Sequence, residues 1–181
     1  QNNSFVGTLG YFKNGKKINE TNLTTPAYEE LYKYGSSHRK SNNTFIFEAS
    51  SHAIHQNRIR NYPINIAAIT NISIDHLDYH KNFKDYKQTK LNLFNNYLIS
   101  NGYAIINSRI KNISSFIKRL KSKKVKIIFY DKKNFYFVKN NKNLKLHIYK
   151  NCYDIKKLNL KNEIELENLE CAISCCLSLN L

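Results

Sequence analysis

The stretch FEASSHAIHQNRIRNYPINIAAITNISIDHLDYHKNFKDYKQTKLNLF, Phe47 to Phe94, decides how the chain is read. A short apolar run, Thr44 to Phe47, is consistent with a buried strand and ends at a carboxylate, Glu48. Ser50 and Ser51 then open a helical turn to about Asn57. Ile64 to Thr70 is a second buried strand ending at Asn71, and the loop 72–82 carries Asp75, His76, Asp78 and His80 into a helix. With residues 83–97 helical, about 100° per residue puts Phe83, Tyr86, Leu93, Phe94 and Tyr97 on one face. Lys90 falls in the middle of that face, with Asp85, Gln88, Asn92, Asn95 and Asn96 opposite. A lysine so placed must snorkel, pair, lose its charge or be chemically modified.

On the amino-terminal side, Phe5 to Phe12 reads as a strand, continued by Ile18 to Leu23 after an Asn14-Gly15 turn. Thr25 and Pro26 suit a helix cap and first helical position, with Glu29 and Glu30 in the opening turn and an end at Tyr34 to Ser37. Beyond Phe94 come a strand at Tyr103 to Asn107, a helix at about 110–122 and a strand at Val125 to Tyr130. Strands alternating with helices specify an α/β fold with a mostly parallel sheet, whose ligands gather beyond the carboxyl ends of the strands. Glu48, Asn71 and the His76 loop map to that edge. After Asp131 the pattern changes to short strands, Asn134 to Lys139, Lys142 to Tyr149 and Glu163 to Leu166, a small antiparallel appendage. A final helix runs from Asn168. The divisions expected are therefore 1–130, 131–166 and 167–181.

At 181 residues, with 41% hydrophobic and 13% aromatic residues, the chain can bury a full core and defaults to one domain. No apolar run approaches a membrane span and no signal peptide opens the chain. It begins with Gln and contains no methionine, so it is expected to be an internal piece of a longer protein. The formal charge of +16 invites a nucleic-acid reading. However, the lysines are spread along the chain among Asn, Ile and Tyr rather than gathered on one element with aromatics, so no nucleic-acid partner is expected. Net positive charge would still attract nucleotides. Cys171, Cys175 and Cys176 share one predicted helix and no CxxC pair occurs, which speaks against disulfides and zinc and for a reducing cytoplasm.

Glu48, His76 and Lys90 would suit a magnesium–nucleotide site. Magnesium takes hard oxygen ligands and keeps waters and phosphate oxygens for the rest of its shell. Lysine could join only if carbon dioxide converted its neutral amine to a carbamate. A structural salt bridge explains the same residues. His52, His55 and His80 read as surface or hydrogen-bonding residues, and Asp75 and Asp78 as turn formers. Arg58 could clamp a carboxylate or phosphate. No GxxxxGK[ST] loop occurs, so the chain holds no phosphate cradle of its own.

Thr24-Thr25-Pro26, EASSHAIHQNRIR from Glu48, TNISIDHLDYH from Thr70 and TKLNLF from Thr89 resemble, in order and spacing, the Mur ligase family, nearest its MurE branch. The resemblance is strong over residues 5–107, weaker through the appendage, and returns at Glu167 to Leu179. It implies a three-domain cytoplasmic enzyme of peptidoglycan synthesis, expected to be a monomer, of which this is most of the central ATPase domain. By that resemblance the amino-terminal UDP-binding domain, phosphate loop and carboxy-terminal domain are expected to lie outside this sequence. It also implies ATP and Mg2+ as cofactors, and UDP-MurNAc-L-Ala-D-Glu and a diamino acid (diaminopimelate or lysine) as substrates, joined through an acyl phosphate. Lys90 is assigned as the carbamylated catalytic lysine, with Glu48 and His76 as metal contacts and His76 also catalytic. Thr24, Thr25, Ser50, Gln56 and Arg58 are assigned to the muramoyl dipeptide, and Asn71 to the nucleotide. Leu23 stands where many relatives carry Asn before the paired threonines, and Ala49 and Thr89 are milder departures. Folylpolyglutamate synthetase is the alternative within the superfamily, and a basic nucleic-acid-binding module the alternative outside it.

Overall fold

The computed structural model describes residues 3–36, 43–130, 135–140, 143–148, 150–155 and 162–179. The chain forms two compact units, residues 1–63 with 74–97, and residues 64–73 with 98–181.

In the first unit, strand β1 (Asn3–Gly7), β2 (Gly10–Lys13) and β3 (Lys16–Asn19) form an antiparallel meander. Its second turn is the expected Asn14-Gly15, with φ of 49° and 77° at the two residues. These left-handed values are what a two-residue hairpin turn needs and Asn-Gly supplies. Helix α1 (Tyr28–Ser36) leads to β4 (Thr44–Phe47), which pairs parallel to β1 from Asn3↔Thr44 to Val6↔Phe47. The one-turn helix α2 (Ser51–His55) follows, and after residue 74 comes α3 (Phe83–Asn92), capped by the Asn82 side chain accepting from Asp85 N–H. Val6, Leu31, Ile59, Tyr86 and Phe94 are buried in this unit, with Tyr11 and Tyr34 stacked at 4.0 Å and Phe47 edge-on to Tyr62.

In the second unit, β5 (Ile64–Ile69), β6 (Leu98–Asn107) and β7 (Lys126–Tyr130) form a parallel sheet in that order. Helix α4 (Ser114–Ser122) makes the crossover from β6 to β7. Strands β8 (Phe135–Asn140), β9 (Asn143–Ile148) and β10 (Asn151–Ile155) form the antiparallel appendage, and α5 (Glu163–Ser178) closes the chain. Ile105, Tyr130, Leu146 and Cys171 are buried together, so appendage and parallel sheet share a core. Burial, followed by the neighbouring Cys171, pushes the Tyr130 hydroxyl well above the phenol range. The four cysteines are free. Among the described residues no helix is long and apolar enough to cross a membrane.

Several local expectations are corrected. Phe5 to Phe12 is not one strand but is broken by a turn at Thr8 and Leu9, and the strand expected over Ile18 to Leu23 is β3 instead. Glu163 to Leu166 is not a strand but the first turn of α5, because Asn162 accepts from Glu165 N–H and places two glutamates at the positive helix end. The third appendage strand is β10 instead. Thr25 does not cap α1, which starts at Tyr28; its hydroxyl is used elsewhere, as described below. The helix bearing Lys90 changes to a π-helical turn at Leu93–Tyr97. The expected bounds Ser37, Asp131, Asn134, Lys142, Tyr149 and Leu181 lie outside the described residues.

Gly35, buried in the last turn of α1, lies against the aromatic nest of Phe45 and Tyr62. A methyl there would overlap the Tyr62 hydroxyl and stand 3.0 Å from Phe45 Cδ1. Gly35→Ala should cost about 1–3 kcal/mol in urea unfolding. Adding Tyr62→Phe, which removes the overlapped oxygen, should recover part of that loss in a double-mutant cycle.

Candidate active site

Glu48 owes its place to the register of β4. Its N–H continues the ladder by donating to Val6 O at 2.9 Å, which sets the residue beside the β1–β2 turn. There its Oε2 accepts from Thr8 N–H at 3.1 Å and from the Thr8 hydroxyl at 3.0 Å. The Thr8 hydroxyl also lies 3.1 Å from that of Thr24. Buried Thr25 is bound more deeply. Its hydroxyl donates to the Glu48 carbonyl at 2.6 Å and accepts from Ser50 N–H at 2.9 Å. Ser50 in turn caps α2, its hydroxyl accepting from Ala53 N–H. Arg58 donates from Nη1 to the Thr25 carbonyl, while its buried Nε has no hydrogen-bond partner among the described residues. Glu48, Thr24, Thr25, Ser50 and Arg58 are thus one connected group.

The histidines form a second group in the same unit. His76, exposed, sits at φ 53°, a left-handed conformation uncommon outside glycine. Its N–H donates to Asp75 Oδ1 at 2.8 Å, and its carbonyl accepts from Tyr79 and His80 N–H. The ring lies 3.4 Å (Nε2) from Asp75 Oδ2, packs at 5.1 Å on His52 and at 6.0 Å on Tyr86. Lys90 is half-buried, and its Nζ lies 4.9 Å over that same Tyr86 ring. The lysine therefore faces inward along the aromatic side of α3, as its sequence position requires. Gln56 and His55 both reach the Tyr79 hydroxyl, at 3.1 and 2.9 Å.

Of the other histidines here, His55 is exposed and hydrogen-bonded as expected, while His52 is half-buried and His80 buried in this packing. His80 is buried among Tyr79, Tyr86 and His55, with Nδ1 3.5 Å from Asp85 Oδ2 and neither ring nitrogen hydrogen-bonded. Burial first, then His76 and His80, hold the His52 imidazole below its ordinary pKa, with Asp78 opposing and Arg58 adding a little. Because the folded state resists that proton, the contribution of His52 to stability is present at neutral pH and declines as pH falls through the ordinary histidine value.

Asn71 belongs to the other unit, two residues past β5 and exposed. At the carboxyl end of the parallel sheet in that unit, buried Asn107 donates to Thr70 O at 2.8 Å and to Glu167 Oε2 at 3.3 Å, and Arg109 pairs with Glu167. Thr8, Tyr79 and Tyr86 are absent from the sequence-based set. Tyr86 could have been found, since it shares the face of Lys90; Thr8 carried no signal. Among the described residues no three His, Cys, Asp or Glu side chains converge closely enough to hold a metal ion. The donors suit magnesium in type. Glu48 has one oxygen, Oε1, outside its hydrogen bonds, and a cation that keeps its waters and phosphate oxygens needs few protein contacts.

Comparison with known proteins identifies the family. The family model of the Mur ligase middle domain matches residues 1–175. A UDP-N-acetylmuramoyl-L-alanyl-D-glutamate–2,6-diaminopimelate ligase of Rickettsia montanensis is 39% identical over 132 residues, 71% of this chain and 28% of that protein. The chain belongs to the Mur ligase middle-domain family. A solved ligase of the same description superposes on the whole chain with a TM-score of 0.81 at 26% identity, over 38% of its own length. E. coli FolC in complex with ADP shares the fold, with a TM-score of 0.64 at 9% identity, over 99% of this chain and 47% of FolC. The chain spans little more than a quarter of the length of the first sequence relatives it matches.

In this Mur ligase middle domain, Thr25 is a structural joint. Thr25→Val keeps the volume but strands the Ser50 N–H and the Glu48 carbonyl in a buried place. Loss of about 1–3 kcal/mol is expected, against a near-neutral Thr25→Ser, by urea denaturation. Equal stability of the valine variant would show that water replaces the hydroxyl.

Proposed function

We propose that this chain is the central part of an ATP-dependent ligase of peptidoglycan precursor synthesis, adding a diamino acid to UDP-MurNAc-L-Ala-D-Glu. The relatives named above are 2,6-diaminopimelate ligases, which favours diaminopimelate over lysine. In the proposed reaction the γ-phosphoryl group of ATP passes to the side-chain carboxylate of D-glutamate, releasing ADP. The amine then attacks the acyl phosphate, an amide forms, and phosphate and a proton leave. Such catalysis is mainly positioning and electrostatics.

The observation that carries this reading is Lys90. Its amine is half-buried over Tyr86, the ring that also packs on His76, in a chain whose family membership is established. Reaction of the neutral amine with carbon dioxide would yield a carbamate and a proton, giving α3 an anionic, oxygen-bearing end. Glu48, His76 and carbamylated Lys90 would hold magnesium. When bound, that ion would neutralise charge on the phosphates. Arg58, with Nε still open, and Gln56 and Ser50 would orient the muramoyl dipeptide. Thr25 would serve that orientation through the Glu48 carbonyl and Ser50, since its hydroxyl has both roles filled, and Thr24 through the Thr8 hydroxyl that binds Glu48. Asn71 would meet the nucleotide. FolC likeness extends to the fold alone, and the SSHAIHQNR and DHLDYH runs favour the muramoyl substrate over a folate.

In the full-length enzyme, Lys90→Ala should lower ATP-dependent ligation roughly a hundredfold or more, with partial recovery on adding a small carboxylate. Turnover by Lys90→Ala at the wild-type rate would remove the carbamate from the account.

A further inference from the structure

This inference rests on the assignment of Glu48 above and adds a residue outside that set. The β1–β2 hairpin closes through Thr8 and Leu9, between the paired Gly7 and Gly10. Parallel pairing of β4 on β1 lays the Glu48 side chain over this turn. Gly7 makes the approach possible, because a Cβ there would stand 2.9 Å from Glu48 Oε2 and 3.2 Å from Glu48 Cβ. Thr8 then gives both of its donors to one oxygen, N–H at 3.1 Å and hydroxyl at 3.0 Å. A hydroxyl has a single proton. With that proton on Glu48, the Thr8 oxygen accepts from the Thr24 hydroxyl at 3.1 Å, so two loops fix one carboxylate.

We propose that Thr8 is a positioning residue: it locks the Glu48 carboxylate through Oε2 and leaves Oε1 as the oxygen offered to the divalent cation that accompanies a nucleoside triphosphate. A carboxylate on a free side chain would spend conformational entropy each time it met a cation; here the turn has already fixed it. The side chain of Thr8 is exposed, so the hydroxyl can be removed with little effect on the core.

The test uses full-length enzyme with Mn2+ as probe, read by electron paramagnetic resonance in the presence of a non-hydrolysable ATP analogue. Thr8→Val and Thr8→Ala should each weaken Mn2+ binding roughly tenfold, Thr8→Ser should bind like wild type, and Glu48→Gln should be weakened as well. In ligation assays the Mg2+ concentration for half-maximal rate should rise in Thr8→Val, with kcat recovered at saturating Mg2+, which a damaged fold would not allow. Wild-type Mn2+ affinity in Thr8→Val and Thr8→Ala, with Glu48→Gln still weakened, overturns the positioning role and leaves the Glu48 assignment standing. Wild-type affinity in Glu48→Gln overturns the assignment itself, and the role of Thr8 with it.

Discussion

One buried hydroxyl, on Thr25, ties the first unit together at the point where chemistry is proposed. It binds the carbonyl of Glu48 and the amide of Ser50, two backbone groups that leave the strand ladder as β4 ends. Without a partner those groups would each carry a desolvation cost comparable to a lost hydrogen bond. The threonine thereby sets the direction in which the chain leaves β4, and with it the start of α2. Ser50 caps that helix, and His52 and His55 ride on it into the histidine group. Glu48 on one side and the aromatic–histidine cluster on the other are placed by the same joint.

Much of this could be read from sequence because it rests on local chemistry. Asn14-Gly15 supplies the two left-handed residues of a hairpin, and no other pair nearby does so as cheaply. The inward lysine follows from periodicity, since Tyr86, Thr89 and Phe94 are buried and Lys90 sits half-buried beside them. Where the reading failed, two signals competed. Thr25-Pro26 has the form of a helix start, yet a tertiary partner outbid the local one for the hydroxyl. Glu163 to Leu166 alternates like a strand, and only the Asn162 cap with glutamates behind it reveals a helix. Thr8 was illegible for a different reason. A threonine in a tight turn is ordinary until the parallel pairing of a strand forty residues away brings a carboxylate over it.

The histidines show the limit of composition as a guide. Of the four in the loop and α2, the sequence puts His52, His55 and His80 at the surface or in hydrogen bonds; exposed His55, against the Tyr79 hydroxyl, meets that expectation, and the other two are drawn into the packing. His80 is buried with neither nitrogen hydrogen-bonded, and His52 is driven toward its neutral form by burial and by its neighbours. These rings act as flat, polarisable packing around Tyr79 and Tyr86.

Glu48 and Lys90 would meet a cation in different ways, and that difference has a chemical consequence. Glu48 is held by hydrogen bonds to a hairpin turn and by the continuation of a strand ladder. Lys90 stands half-buried with its Nζ over the Tyr86 ring. A carboxylate must be in place before a cation arrives, because its charge is the attraction. In the proposed site the amine must first meet carbon dioxide, since an ammonium repels a cation and only a carbamate offers it oxygen. The carboxylate is thus the contact that the fold itself supplies, and the lysine the one that chemistry would complete.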